Sequence, residues 1–221
     1  MKPETATKRI FLIDDHPLVR MGLGQILDTQ SDLELCGELD GGRGAIEALS
    51  QTEPDAIILD LSLPDTGGID LIKAIRAAGF SAPILVNSMH PETLYAERVL
   101  RAGANGYLMK QVAPKTVLTA IRKVLDGQAY LSDEMTCNLV NRMAGARELK
   151  NSVEELTDRE FEVFELIGRG KPTADIAELL SISPRTVDVH RANIRAKLSV
   201  TSGAELAQIA VRWVESGGKE F

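Results

Sequence analysis

The first 127 residues alternate short apolar runs with longer helical patterns, and few architectures can absorb that alternation. The runs are Arg9–Ile13, Leu33–Leu39, Ala56–Leu59, Pro83–Val86 and Tyr107–Met109. Between them, apolar residues recur three and four apart: Leu18, Leu23, Ile26 and Leu27; Ile46 and Leu49; Ile69, Ile72 and Ile75; Leu94, Val99 and Leu100; then Val117, Leu118, Ile121, Val124 and Leu125. Strands of about five residues joined by helices of about a dozen make βαβ units, whose strands run parallel in one sheet covered on both faces. Residues 8–127 are therefore expected to form an α/β, doubly wound, five-stranded parallel (βα)5 domain, after a tail over 1–7.

What stands at the end of each run narrows the chemistry. Asp14 and Asp15 follow the first run, Asp60 closes the third, Ser88 follows the fourth and Lys110 the fifth. In a parallel sheet these positions share the C-terminal rim, so three carboxylates, a hydroxyl and an ammonium converge there. Clustered carboxylates repel one another unless a cation joins them, and a hard divalent ion such as Mg²⁺ suits carboxylate oxygens. The Gly41, Gly42, Arg43, Gly44 cluster has no Lys-Ser/Thr pair behind it and reads as a turn rather than a phosphate loop.

The motifs LIDDHPLVR, ILDLSLPDTGG, ILVNSMH and GANGYLMK, spread over this half, resemble the receiver domain of two-component response regulators. That resemblance implies that Asp60 accepts a phosphoryl group from a sensor histidine kinase. It implies that Asp14, Asp15, Asp60 and the backbone carbonyl of Ser62 hold Mg²⁺, that Lys110 binds a phosphoryl oxygen, and that Ser88 and Tyr107 form a switch pair. The residue types fit: phosphoryl transfer is dominated by positioning and charge neutralisation, and a carboxylate nucleophile gives an aspartyl phosphate. Asn87, just before Ser88, departs from the apolar residue expected there.

A linker over 128–152 follows, with one helical pattern (Met135, Leu139, Met143) and the polar stretch AGARELKNSVEE. Residues 153–218 read as a small all-α domain. Thr157 and Glu160 fit a capping box, Thr173 is expected to cap a second helix through Leu180, and Ser183 and Pro184 to start a third. Two short helices joined by so tight a turn form a helix-turn-helix. On the third helix Val187, Ile194 and Leu198 share a face that must be buried, leaving Arg185, Val189, Ala192 and Ala196 opposite, flanked by Asp188 and Arg195.

The stretch LTDREFEVFELIGRGKPTADIAELLSISPRTVDVHRANIRAKLSV resembles the LuxR-type helix-turn-helix, and with a receiver ahead of it the architecture resembles the NarL/FixJ class. The resemblance implies double-stranded promoter DNA as partner, bound by a homodimer when phosphorylated, with Arg185, Thr186, Asp188, Val189, Arg191, Asn193, Arg195 and Lys197 at the interface. Arg185, Asp188 and Val189 are expected to read bases; Arg191, Asn193, Arg195 and Lys197 to lie near phosphates. Asp188 and Ala192 stand where many relatives carry lysines. Leu206 and Ile209 are expected in the domain core, and Ala210 and Trp213 in a two-fold contact.

Composition restricts the remaining classes. A net charge of -7 argues against indiscriminate polyanion binding and leaves room for a local basic face, and four basic residues against one acidic lie between Arg185 and Lys197. No apolar run approaches the roughly 18 to 20 residues of a bilayer span, and the N-terminus lacks a secretory pattern, so no membrane partner and a cytoplasmic location are expected. Cys36 and Cys137 show no metal or disulfide spacing. An aspartyl-phosphate hydrolase would place an acid/base carboxylate two residues after its nucleophile; that position is Ser62. The chain is thus expected not to be an enzyme, beyond self-catalysed phosphorylation and dephosphorylation of Asp60.

Overall fold

The computed structural model describes residues 7–143 and 152–216; most of the expected tail, the polar stretch 144–151 and residues 217–218 lie outside the described residues. The chain divides into two compact units, one running to Thr136 and the other from Cys137.

All five apolar runs become strands: β1 (Lys8–Ile13), β2 (Leu33–Leu39), β3 (Ala56–Leu59), β4 (Ile84–Ser88) and β5 (Gly106–Met109). They pair in parallel in the order β2-β1-β3-β4-β5. The intervening helices are α1 (Pro17–Asp28), α2 (Ala45–Thr52), α3 (Gly68–Ala77), α4 (Glu92–Ala102) and α5 (Pro114–Leu125). Alternation along the strands sends Ile10, Leu12, Ile58, Leu85 and Leu108 to one face, against Leu23 and Leu27 of α1 and Val117, Ile121 and Val124 of α5. The alternate residues Phe11, Ile13, Ile57 and Leu59 are equally buried on the other face. Burial on both faces explains why β1, β3 and β4 read as apolar runs, whereas the edge strand β2, with Glu34 and Glu38, is mostly half-buried or exposed.

Not every residue of the helical patterns reaches the core. Leu18 is 81% exposed. It lies five positions before Leu23, about 140° round the helix, so it faces away from the sheet.

Strand order reverses between β1 and β3, and the loop after β3 is folded back on itself at that point. Ser62 bridges Gly67, and the amide of Gly68 donates to the carbonyl of Leu61 at 3.1 Å. A Cβ on Gly68 would lie 2.4 Å from the Cα of Leu61, so only glycine permits this approach.

Beyond α5 the chain stays on the sheet briefly. Tyr130 forms a parallel bridge with Gly106: its carbonyl accepts from the Tyr107 amide at 2.8 Å and its amide donates to the Asn105 carbonyl at 3.1 Å. The amide of Ser132 then donates to Glu92 at 2.9 Å, and α6 (Asp133–Met143) begins, the helix expected in the linker.

After α6 the described residues resume in a 3-10 turn (Ser152–Glu155), followed by α7 (Asp158–Gly168), α8 (Thr173–Leu179), α9 (Pro184–Lys197) and α10 (Gly203–Glu215). The capping box forms as expected: the Thr157 hydroxyl accepts from the Glu160 amide, and the Glu160 carboxylate accepts from the Thr157 amide. The Ser183 hydroxyl accepts from the Thr186 amide, with Pro184 in the first turn of α9. Val187, Ile194 and Leu198 are buried as the helical spacing required.

Two expectations are corrected. Thr173 does not cap α8: Pro172 holds the cap position without a side-chain bond, and the Thr173 hydroxyl, already inside the helix, accepts from Arg191 at 3.3 Å. Ala210 and Trp213 are not free for a two-fold contact. Ala210 is fully buried, and the Trp213 ring meets Phe161 and Phe164 edge-on at 5.3 and 5.5 Å. The cause lies at the end of α7, where a Cβ on Gly168 would stand 2.4 Å from the Ala210 carbonyl. Glycine there lets α10 settle against α7 with Leu206, Ala210 and Trp213 turned inward, while Ile209, expected in the core, is only half-buried.

Candidate functional site

Ligand crevices in open parallel sheets form where strand order reverses, outside the carboxyl ends of the strands. Here that place receives Asp14 from β1 and Asp60 from β3, and Lys110 reaches it from β5. The Lys110 ammonium lies 2.7 Å from Asp60 Oδ2 and 2.8 Å from Asp14 Oδ2, and all three side chains are at most 5% exposed. Lys110 is anchored by its own backbone, whose amide donates to the Ser88 carbonyl at 2.9 Å. Asp15, half-buried, completes the acidic group.

Three carboxylates against one ammonium leave two negative charges in a largely buried space. Burial raises the Asp60 pKa above the ordinary carboxylate range; Lys110 opposes this without cancelling it, and Asp14 adds to it. Asp60 Oδ1 is buried with no hydrogen-bond partner. Ligand atoms of Asp14, Asp15, His16 and Asp60 lie within 4.8 Å of one another. An orphaned carboxylate oxygen beside two unbalanced charges fits a divalent cation with oxygen ligands.

Of the expected metal set, Asp14, Asp15 and Asp60 come together. Ser62 stands beside them, its hydroxyl 3.1 Å from His90 Nε2. His16, which joins the cluster, was not among the expected ligands, although it follows the acidic pair directly in sequence.

Ser88 and Tyr107 meet on one loop. The Ser88 hydroxyl accepts from the His90 amide at 3.2 Å, and the Tyr107 hydroxyl donates to the His90 carbonyl at 2.8 Å. The Tyr107 side chain is inside, at 1% exposure, as is Asn87 just before Ser88, at 4%. His90 links that loop to the one after Asp60 through Ser62, and its ring packs on Tyr95 at 4.6 Å. No spacing rule picks out His90, because its role comes from two loops meeting.

The second candidate surface is α9. Arg185, Asp188, Val189, Ala192, Asn193 and Ala196 are exposed, with Val189 at 53%; Arg191 and Arg195 are half-buried at the sides. Thr186 turns its hydroxyl to Ser183 at 2.8 Å. Lys197 differs from the rest, because its ammonium donates to Glu160 at 2.6 Å and to the Glu155 carbonyl at 3.1 Å. Val189 thus stands exposed beside Asp188 and Arg185, on a helix whose start is set by Ser183 and Pro184.

Residues 10–122 match the family described as response regulator receiver domain. Residues 154–210 match the family described as bacterial regulatory proteins, luxR family. The chain is 33% identical over 199 residues to the nitrate/nitrite response regulator protein NarL of Escherichia coli K12, spanning 90% of this chain and 92% of that one. It is 30% identical over 203 residues to the response regulator UvrY of the same organism, spanning 92% and 93%. Among solved structures, RcsB from Salmonella enterica serovar Typhimurium, bound to promoter P1flhDC in the presence of phosphomimetic BeF3-, aligns with a TM-score of 0.64. It is 27% identical and covers 93% of this chain and 99% of that one. A doubly wound receiver followed by a LuxR-family helical domain, matched along nearly its whole length by such proteins, belongs to the NarL/FixJ-type response regulators, the DNA-binding transcription regulators of two-component systems.

Proposed function

We propose that Asp60 takes a phosphoryl group from a histidine kinase, and that the phosphorylated chain dimerises and binds promoter DNA through α9. The observation that carries this reading is Lys110 held between Asp60 and Asp14, which sets an acceptor carboxylate beside a fixed positive charge. The Asp60 carboxylate attacks phosphorus as the phosphorus–nitrogen bond to the kinase imidazole breaks, and the imidazole leaves with the electron pair. Asp14, Asp15, Asp60 and the carbonyl of Ser62 would hold Mg²⁺, which when bound neutralises charge on the phosphoryl oxygens. Lys110 binds one of those oxygens. Hydrolysis of the aspartyl phosphate, assisted by the same groups, resets the site.

Phosphorylation puts about 1.5 to 2 negative charges on the phosphoryl oxygens where the Asp60 carboxylate carried one. The Ser88 hydroxyl turns from the His90 amide toward the new oxygens, and the loop it leaves carries the Tyr107 hydroxyl bond with it. That change favours a second arrangement of the chain, in which homodimers form. With Ala210 and Trp213 inside the bundle, the outward face of α10 is left for such a contact. On DNA, Arg185, Asp188 and Val189 approach base edges with Thr186 at the same interface, while Arg191, Asn193 and Arg195 approach phosphates. Lys197 serves α7 first and reaches a phosphate only by leaving Glu160. The receiving part spans 8–127, the linker 128–152 and the output part 153–218, and the protein works in the cytoplasm.

The test is phosphorylation of the full chain by acetyl phosphate with Mg²⁺, read by intact mass. A gain of one phosphoryl group that disappears in Asp60→Asn, with tighter promoter binding by the modified protein, supports the reading. Undiminished phosphorylation of Asp60→Asn overturns it.

A further inference from the structure

His16 stands where a side chain at the start of a helix is normally turned to solvent. It is the cap residue of α1, with φ -89° and ψ 107°, and Pro17 follows it. Proline keeps the residue before it out of the helical region, so His16 cannot swing its side chain along α1. Its amide donates to Asp14 Oδ1 at 2.9 Å, which fixes the backbone against the acidic group. The ring is therefore directed back over the carboxylates. His16 Nδ1 lies 2.5 Å from Asp15 Oδ1, 3.2 Å from Asp14 Oδ1 and 3.8 Å from Asp60 Oδ2.

Those spacings have a chemical meaning. An octahedral ion with bonds of roughly 2.0–2.1 Å has neighbouring ligand atoms about 2.9 Å apart and opposite ones about 4.1 Å apart. The His16 nitrogen stands between 2.5 and 3.8 Å from oxygens of three carboxylates, a span that brackets the neighbouring-ligand distance, and 3.4 Å from the Lys110 ammonium, which holds Asp60 Oδ2; the other Asp60 oxygen, Oδ1, is buried without a partner. The half-exposed ring leaves room for water ligands on the outer side. An imidazole nitrogen brings no charge but widens a preference: carboxylate oxygens alone already hold Co²⁺ and Ni²⁺ somewhat more tightly than Mg²⁺, and a nitrogen donor adds to that difference.

We propose that His16 is a ligand of the Asp14/Asp15/Asp60 ion and enlarges its preference, so that the site favours a nitrogen-accepting divalent ion such as Co²⁺ or Ni²⁺ over Mg²⁺ by more than the carboxylates alone would give. This rests on the reading of the carboxylates as an ion site and adds a residue that determines which ion is held.

The experiment uses the full unphosphorylated chain, titrated with Co²⁺ alone, Mg²⁺ alone and the two in competition. Proton NMR in water follows the Co²⁺ complex. A solvent-exchangeable imidazole N–H signal shifted far downfield, lost in His16→Asn, supports the proposal. The same variant should lose at least about tenfold of the preference for Co²⁺ over Mg²⁺, given that partners of metal-bound histidines alone are worth about 10- to 100-fold. Co²⁺ that is displaced by Mg²⁺ yet gives no such signal, or that binds His16→Asn as well as wild type, overturns the role of His16 and leaves the carboxylate site standing. If Asp14→Ala and Asp60→Asn bind both ions like wild type, the ion site itself is wrong and the proposal falls with it.

Discussion

The ammonium of Lys197 lies 2.6 Å from the carboxylate of Glu160, joining the last turn of α9 to the capping box of α7. Burial alone would raise the Glu160 pKa, but the bonds from Lys197 and Thr157 outweigh it and hold the group below the usual glutamate value of 4.5. A carboxylate with a depressed folded-state pKa stabilises the fold above its unfolded value, and that stabilisation is lost as pH falls through the folded one. The helical domain should therefore weaken below about pH 4.5. Lys197→Met should cost about 2 kcal/mol at neutral pH and flatten the acid limb of its unfolding curve. Chemical denaturation at several pH values checks both.

Lys110→Met removes the positive charge between Asp60 and Asp14. The fold should survive, because the methionine stem can fill the same space, but phosphoryl uptake from acetyl phosphate should fall about a hundredfold, the scale of losing one fixed charge-stabilising donor. Uptake followed by intact mass against time is the measurement.

Tyr107→Phe deletes one hydroxyl that donates to the buried loop carbonyl of His90. It should destabilise the receiver by about 1 kcal/mol and leave the rate of Asp60 phosphorylation unchanged. The gain in promoter affinity on phosphorylation should shrink. Fluorescence anisotropy with a labelled promoter, with and without acetyl phosphate, separates these effects.

Trp213→Ala should cost about 3–5 kcal/mol, as expected for removing a large aromatic side chain from a packed core. The helical domain should melt early or fail to fold. A variant that unfolds like wild type yet no longer self-associates would reinstate the surface role that the packing against Phe161 and Phe164 rules out.

On α9, Asp188→Ala should alter affinity at particular base pairs of the operator, since a carboxylate accepts from the cytosine amino group. Arg195→Ala should weaken all sequences alike and lower the salt slope by about one. Binding to a panel of single-base operator variants at two salt concentrations tells them apart.

Much of this was legible in the sequence because each signal was local. Five short runs alternating with helical patterns announce a parallel sheet, and residues closing those runs must share a rim, so Asp14, Asp60 and Lys110 could be placed together without coordinates. The same holds for Thr157, Glu160, Ser183 and Pro184, whose capping partners lie within three residues. The misses were relations between segments. Trp213 looked surplus because nothing near it in sequence reveals that Gly168 admits α10 so closely. Lys197 looked available because Glu160 is distant along the chain, and His90 acquires its bonds only when two loops meet. His16 was overlooked for another reason: its bearing is set by Pro17, a constraint on backbone rather than on pattern.

The bridge between Tyr130 and Gly106 bears on how such a chain can be recombined. Residues 130–132 are stitched to the outer edge of the sheet and to Glu92 at the start of α4. A graft of a foreign output module made directly after α5 would strip these bonds and leave the edge of β5 open, with the Tyr107 amide deprived of its acceptor. Joined after Ser132, the same graft would keep the sheet closed and inherit a connection to the loop that carries His90. The practical splice point is thus set by two backbone hydrogen bonds and one from the Ser132 amide to Glu92, rather than by the end of the last receiver helix.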